Sequence, residues 1–423
     1  MQLHYPDSID DIDISNWDFW RKPLEEREGA FALLRKERPV AFFEEGDTSF
    51  GVPGTGYWVL SKHAEVLHAS LNPHIFSSAQ GIATMDIPPG TIDVFDSMIV
   101  TDNPRHKRLR GLISQAFTPR QLRNVEETVQ TTAQRVLNTV IETGECDFVD
   151  SIAAPFPIQI ICEMMGIPES QHAFVFQKTN IILGGVDPEY GTEKLAERFM
   201  AGIQAARELS ELMKDMRQQR LQQPTDDLTS ALVHAEVNGD RLRVDELGSF
   251  FVLLTAAGNE TTRNAISHGI KLLCDYPDQR QLWQSDFDAH YKTAIEEIVR
   301  WASPVIYMRR TTMCDTEIGG QALREGEKVW LLYSSANRDE DAFEDPYRFD
   351  ISRTPNEQVG FGAGAHFCLG ANLARREMAV MFRELFRRMP DVEVTAEPER
   401  LVHNFIHGIK HMPCRFTPGP VEA

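Results

Sequence analysis

Positive charge is what this 423-residue chain has too little of: 63 acidic residues outweigh 43 basic ones, for a net charge of −20. The averaged field repels nucleic acid and anionic lipid, so neither is an expected partner, and any anionic partner must find a local basic patch. Long hydrophobic runs are also missing. The longest strongly apolar stretch, residues 250–257, falls far short of the roughly 20 residues a spanning helix needs. The opening segment, MQLHYPDSIDDIDISNWDFW, places four Asp within thirteen residues and reads as neither a signal peptide nor a membrane anchor. Six cysteines stand at positions 146, 162, 274, 314, 368 and 414 with no CxxC spacing. That pattern argues against a zinc ribbon or a disulfide scaffold and fits a reducing, cytoplasmic compartment. No internal repeat, low-complexity tract or Gly/Ser linker divides the chain, so residues 1–423 are expected to form one domain.

Helical periodicity fills much of what remains. Between residues 119 and 223 apolar side chains recur three and four apart, as in ELSELMKDMRQQRL. Strand-like runs are short: AFF from residue 41, YWVL from 57, VWLLY from 329, and the IHGIKHMPCRF segment near the end. The expected fold is mainly α with small β-sheets. One helix should be exceptionally long. From an N-cap at Asp245 to Asp275, just before Pro277, the pattern holds for about 30 residues, or roughly 45 Å at 1.5 Å per residue. A rod of that length must be buried over much of its course.

Two segments carry chemistry. The first, FGAGAHFCLG at residues 361–370, precedes a strongly helical stretch. A packed core does not require Gly362, Gly364 and Gly370 around one thiol. A tight loop does, if it presents Cys368 at a helix N-terminus, where peptide N–H groups and the helix dipole stabilise a thiolate. Such a thiolate can be an axial ligand of haem iron. The second segment, LLTAAGNETTRNAISHG, lies on the long helix. Gly258 there costs about 1 kcal/mol against Ala, and the polar quartet Asn259, Glu260, Thr261 and Thr262 breaks an apolar face. A helix opened to admit a small ligand explains both, with Gly258 permitting close approach and Thr261 supplying a hydroxyl; a kinked helix with a solvated acid is the plainer alternative.

FGAGAHFCLG resembles the haem-binding signature of cytochromes P450. The resemblance implies haem b, iron protoporphyrin IX, with Cys368 as the ligand to the metal and His366 at a propionate. AGNETT resembles the P450 oxygen-activation motif, which implies that Glu260 and Thr261 deliver protons during dioxygen activation. AIEEIVR sets Glu297 and Arg300 three apart on one helix face, and DPYRFD supplies Arg348. Alone, such an (i, i+3) pair is worth tenths of a kcal/mol. In its order before the Cys loop it resembles the ExxR and PxRF elements of the family, which implies a structural role for all three residues. DNPRHKRLRGLISQAF at residues 102–117 resembles the helix whose His and Arg, here His106 and Arg110, bind haem propionates. In MRRTT, Arg310 is the matching third contact, with the adjacent Arg309 as the alternative. These motifs keep the family order from about residue 18 to residue 416. The implied architecture places haem between the long central helix and the proximal Cys loop.

The implied activity is hydroxylation of an apolar substrate with O2 and two electrons. No flavin or nicotinamide domain fits in the remaining length, so a separate ferredoxin and ferredoxin reductase are expected, with Lys107, Arg108, Arg375 and Arg376 as docking charges. PIQIICEMMGIP, EEIVRWASPVIYMRRT and FIHGIKHMP, with the long-helix segment, resemble in particular the methyl-branched lipid ω-hydroxylases and, more distantly, steroid side-chain hydroxylases. Branched fatty acids, isoprenoid alcohols or sterol side chains are then the implied substrates. The Cys loop departs from that subgroup in having the common family length, without an additional glycine. Terminal methyl C–H bonds are stronger than their neighbours, so attack there needs a narrow apolar funnel. Candidate walls are Leu254, Ala257, Val305, Ile306 and Phe405, all of them also ordinary core residue types. Residues 177–190, with helix breakers after an apolar run, are expected to form a mobile lid. A P450 acting on a terpene or other secondary metabolite would fit the same residues. A non-catalytic haem-thiolate sensor would keep Cys368 but have no need of Glu260 and Thr261.

Overall fold

The computed structural model describes residues 1–45, 54–84, 86, 93–116, 119–184, 187, 189 and 195–422. Its internal contacts sort the chain into two units. One comprises Met1–Ile87, Lys271–Ala371 and Leu401–Gly408; the other comprises Pro88–Ile270, Asn372–Arg400 and Ile409–Ala423.

The first unit is built on a five-stranded sheet. Its strands, in spatial order, are Val40–Phe43, Tyr57–Leu60, Lys328–Leu331, Met308–Thr312 and Phe76–Ser77. Tyr57–Leu60 runs parallel to Lys328–Leu331, in the register Tyr57↔Lys328, and the other pairings are antiparallel. The three expected apolar runs supply three of these strands. The fourth, MRRTT, escaped the apolar pattern because its buried residues are polar: Arg309, Arg310, Thr311 and Thr312 are all at most 5% exposed. Aromatic stacking consolidates one face of the sheet. Trp330 lies between Tyr57 and Tyr307, with ring centroids 4.3 and 3.6 Å apart. The N-terminal segment closes that cluster: Ile12 and Ile14 are buried beside Phe19, Trp20 and Phe31, and the Trp20 indole N–H donates to the Ile14 carbonyl at 2.8 Å. The helix Phe287–Ala302 starts where the Asp286 carboxylate accepts the Ala289 N–H and stops where Ser303 turns left-handed at φ 38°.

The second unit is mostly helical, with Arg105–Ala116, Pro119–Asn138, Pro155–Met165, His172–Leu183, Leu195–Gln222 and Leu228–His234; the middle four fall within residues 119–223, where the sequence shows helical periodicity. The IHGIKHMPCRF segment yields strands Ile409–His411 and Pro413–Arg415. The latter is the centre of a three-stranded sheet with Glu145–Asp147 and Glu393–Val394. Gly166 ends Pro155–Met165 in the left-handed region at φ 70°. A Cβ there would lie 2.1 Å from Asp227 Oδ2, and Asp227 itself caps the helix Leu228–His234 by accepting the Ser230 N–H. One glycine therefore allows two helix ends to meet.

The long helix spans Val244–Asp275. Asp245 is not its cap. It sits in the first turn, and the Glu246 carboxylate reaches back to accept the Arg243 N–H at 2.9 Å. Gly258 also has a role other than the one read from the sequence. A Cβ there would come within 2.9 Å of Ile161 Cδ1, so the missing side chain lets the helix close on Pro155–Met165, and tight packing offsets the propensity cost.

Candidate functional site

In the first unit, the Cys loop is bent by Gly362 and Gly364, both at φ 67°. The Gly362 N–H donates to the Val359 carbonyl at 2.8 Å and the Cys368 N–H to the Phe361 carbonyl at 2.9 Å. At Gly364 a side chain is excluded outright, since its Cβ would fall 2.5 Å from the Ser70 carbonyl oxygen. The loop is thus pinned to the end of the helix His63–Leu71. Cys368 is exposed, three residues before the helix Ala371–Arg388, and His366 is half-buried in the turn Gly364–His366. An exposed thiol just before a helix N-terminus, in a loop whose bend needs two left-handed glycines, is the kind of donor a haem-thiolate site requires.

The adjacent arginines of MRRTT divide their tasks, because neighbouring strand residues face opposite ways. Arg309 pairs with Asp86 at 2.7 Å and donates to the Ala83 and Thr84 carbonyls at 3.3 and 3.2 Å. Arg310 instead acts on buried Tyr333, opposing the rise that burial imposes on that phenol. The Tyr333 hydroxyl lies 3.5 Å from where a Gly362 side chain would begin.

Glu297 and Arg300 form a two-pronged pair at 2.7 and 2.8 Å, and both are fully buried. Arg300 also donates to the carbonyls of Asn337, Pro346 and Arg348 at 2.8, 2.9 and 3.3 Å. The third side chain at Glu297 is not Arg348, which is exposed and offers only its carbonyl. It is Arg353, at 3.2 Å. The sequence reading stopped five residues early. The turn between the two residues leaves Arg348 at the surface, while Arg353 also donates to the carbonyls of Glu344, Asp345 and Arg348.

In the second unit, Glu260 and Thr261 diverge around the long helix. Glu260 is buried, ion-paired with Arg263, and accepts from Asn264 Nδ2 at 3.1 Å. The Thr261 hydroxyl donates to the Ala257 carbonyl at 2.6 Å and sits on an accessible seam. Leu254, Gly258 and Thr261 are half-buried and Ala257 is exposed, whereas Thr255, Asn259, Glu260 and Thr262 around them are buried. Residues 254, 257, 258 and 261 share one helix face. A seam of small and apolar groups with a single hydroxyl, flanked by buried Thr255, Asn259, Glu260 and Thr262, suits a flat apolar group and its small reactant.

His106 and Arg110 lie on Arg105–Ala116; Phe117, the last residue of that motif, is outside the described residues. His106 is buried, and its imidazole is held below the ordinary value by burial and by the Arg110 charge, with Asp102 opposing. Of the expected docking bases, Lys107 is exposed, but Arg108 is tied to Asp240 and Glu246 and Arg376 to Glu126. Those two are not available as free surface charge.

The candidate walls separate in the same way. Leu254 and Ala257 lie on the seam. Ile306, at 3% exposure, belongs to the aromatic core and is not a wall. Phe405 is half-buried against the edge of Tyr307, and Val305 is half-buried. Of the expected lid, the helix His172–Leu183 is described, whereas residues 185, 186, 188 and 190 lie outside the described residues. Asp187 and Glu189 meet Lys410 at 3.3 and 3.1 Å, and Glu189 also meets His411 Nε2 at 3.0 Å.

One acid went unread. Glu377, on Ala371–Arg388, is 2% exposed, and burial pushes its carboxyl up to about 8 against a hydrogen bond with Thr262, next in sequence to Thr261. The available signal was phase: Glu377 is one turn before fully buried Met381.

Comparison with known proteins identifies the family. Residues 187–400 match the cytochrome P450 family, and the chain belongs to that family: it is a P450 monooxygenase, with haem b as its cofactor. Within the family it is 49% identical to the methyl-branched lipid omega-hydroxylase of Mycobacterium tuberculosis strain H37Rv, over 97% of this chain and 95% of that protein. It is 38% identical to the steroid C26-monooxygenase of Rhodococcus jostii, over 96% of this chain and 84% of the other. A Mycobacterium marinum cytochrome P450 solved in complex with pseudoionone shares 40% identity and a TM-score of 0.89, covering 98% of this chain and 99% of that one.

Proposed function

We propose that this P450 is one domain over residues 1–423 and hydroxylates the terminal carbon of a methyl-branched lipid, with isoprenoids and sterol side chains as the related substrate class. The observation that carries the reading is the 49% identity, over nearly the whole chain, to a methyl-branched lipid omega-hydroxylase. The pseudoionone complex of a 40% identical relative supports an isoprenoid-shaped substrate. Bound haem supplies dioxygen activation and oxidation of an unactivated C–H bond.

The chain's own residues do the rest. Cys368 provides the thiolate, favoured by the N-terminus of the helix that follows. His106, Arg110, Arg310 and His366 hold the propionates; Arg309, committed to Asp86, does not. Leu254 and Ala257 line the substrate space with two apolar side chains and restrict approach to a slender chain end, with Val305 and Phe405 as further walls. Thr261 Oγ, fixed by its bond to the Ala257 carbonyl, holds a proton donor at the seam. Glu260 resupplies that hydroxyl when its carboxylate swings away from Arg263. Electrons come from a ferredoxin and its reductase in the cytoplasm, with the exposed Lys107 as a docking charge. No described helix is long and apolar enough to cross a membrane.

The test is a spectroscopic titration of the holoenzyme with branched fatty acids, isoprenoid alcohols, sterols and straight-chain fatty acids, followed by product analysis. Branched lipids are expected to shift the haem spin state and to give ω-alcohols. Shifts confined to straight chains, or oxidation at internal carbons, would overturn the assignment.

A further inference from the structure

Two of the six cysteines meet in the three-stranded sheet of the second unit. Cys146 on Glu145–Asp147 is the direct cross-strand partner of Cys414 on Pro413–Arg415, and their sulfurs are 3.6 Å apart. The Phe148 N–H donates to the Met412 carbonyl and the Phe416 N–H to the Gly144 carbonyl, both at 2.9 Å. The 146/414 pair lies midway between these two and shares their parity, so it is a hydrogen-bonded pair of the ladder, with a Cα separation of about 5.5 Å. Disulfides most often span about 5.5–6 Å between Cα atoms. Directly opposed residues also project from the same face of a sheet.

The two thiols are unequal. Cys146 is half-buried on an edge strand, and Cys414 is 2% exposed on the central one. The hydrogen bond from Cys414 lowers the Cys146 thiol and, reciprocally, raises that of Cys414, with burial adding to the rise. The accessible sulfur is thus the better nucleophile, and the covered one sits directly behind it.

We propose that Cys146 and Cys414 are a peroxide-reactive dithiol that closes to a cross-strand disulfide. The Cys146 thiolate attacks one oxygen of a hydroperoxide, ROOH. The O–O bond breaks, an S–O bond forms, and ROH leaves after taking up a proton, so that sulfur is oxidised to the sulfenic acid and the peroxide is reduced by two electrons. Cys414 then attacks the sulfenic sulfur; the S–O bond breaks, the S–S bond forms, and the Cys414 proton leaves with hydroxide as water. Consuming the Cys146 thiolate removes the main influence that held the Cys414 proton, so the first step prepares the second. The closed bond ties the strand Glu145–Asp147 to the C-terminal strand, and its neighbour Asp147 already meets His411 at 3.1 Å.

The test titrates the haem-loaded enzyme with hydrogen peroxide, blocks remaining thiols, and maps peptides without reduction. The expected result is a linked pair of peptides carrying Cys146 and Cys414, two hydrogens lighter than the separate thiols, formed before exposed Cys314 is lost and reversed by a dithiol reductant. Cys146→Ser should abolish the link and leave Cys414 reduced, with the haem spectrum and melting temperature reporting that the variant is folded. Cys146 appearing as a sulfinic acid or mixed disulfide while Cys414 stays a thiol would overturn the proposal. So would a pair that remains reduced after Cys314 is oxidised.

Discussion

Cys368 and Thr261 show how differently two site residues can be written in a sequence. Gly362 and Gly364 near Cys368 leave a trace because the bend requires a left-handed backbone at both, and at Gly364 a Cβ would also run into the Ser70 carbonyl oxygen. Cys368→Ala is therefore expected to keep the loop but lose the thiolate-type red-shifted Soret band of the reduced, carbon-monoxide-bound protein; a visible spectrum decides it. Thr261→Ala leaves the helix intact, since that hydroxyl bonds only its own turn at the Ala257 carbonyl among the described contacts. It should retain electron uptake while product formed per electron pair falls several-fold, measured as product against reductant consumed. Gly258 was legible as anomalous but not as to cause. Periodicity cannot say which neighbour a helix face meets, and the neighbour is Ile161. Glu377 was missed for the same reason: an acid in a charged helix reads as solvated until packing covers it.

At the scale of elements, long apolar or strictly periodic segments were readable, and short polar buried ones were not. The rod Val244–Asp275 was found within two residues of its start because helical periodicity runs unbroken for about 30 residues and stops just before Pro277. The strand Met308–Thr312 was invisible because arginine and threonine hide burial that ion pairs make tolerable. The Glu297 cluster is a second instance, where order in the sequence named the nearest arginine and the turn delivered a later one. Arg353→Ala should destabilise the protein by about 1–3 kcal/mol, because Glu297 loses one of its charged partners but keeps Arg300. Arg348→Ala should stay within about 0.5 kcal/mol of the parent. Denaturant melts of the two variants distinguish the assignments, and equal losses would return the role to Arg348.

For the molecule as a whole, pH is the informative variable. Asp86 is held below the ordinary carboxylate range by Lys328 and Arg309, against burial, and Glu340 by Arg35, also against burial. Such groups stabilise the fold above their unfolded values and lose that contribution as acid protonates them. Glu377 and His411 act on the other limb. Both are raised, Glu377 by burial and His411 by Glu189 and Asp147 against burial. For His411, stability present below its unfolded value is lost as pH climbs through the folded one. For Glu377, keeping the buried acid protonated between 4.5 and about 8 costs about 1.4 kcal/mol per pH unit. Thermal stability should therefore peak on the acid side of neutrality and fall toward pH 8. Glu377→Gln should flatten that decline, with a melting-temperature gain that grows from pH 5 to pH 8 and then levels off. A gain independent of pH would show that the carboxyl is not protonated in the fold.

The strap formed by Ile12, Ile14 and Trp20 has a practical corollary. Those side chains belong to the same buried cluster as Phe31, Tyr57 and Trp330, so the first twenty residues help cover the aromatic stack and are not a dispensable tail. A shortened version starting beyond Trp20 would present a greasy ring system to solvent and should precipitate or recruit chaperones when overproduced, whatever the condition of its chemistry.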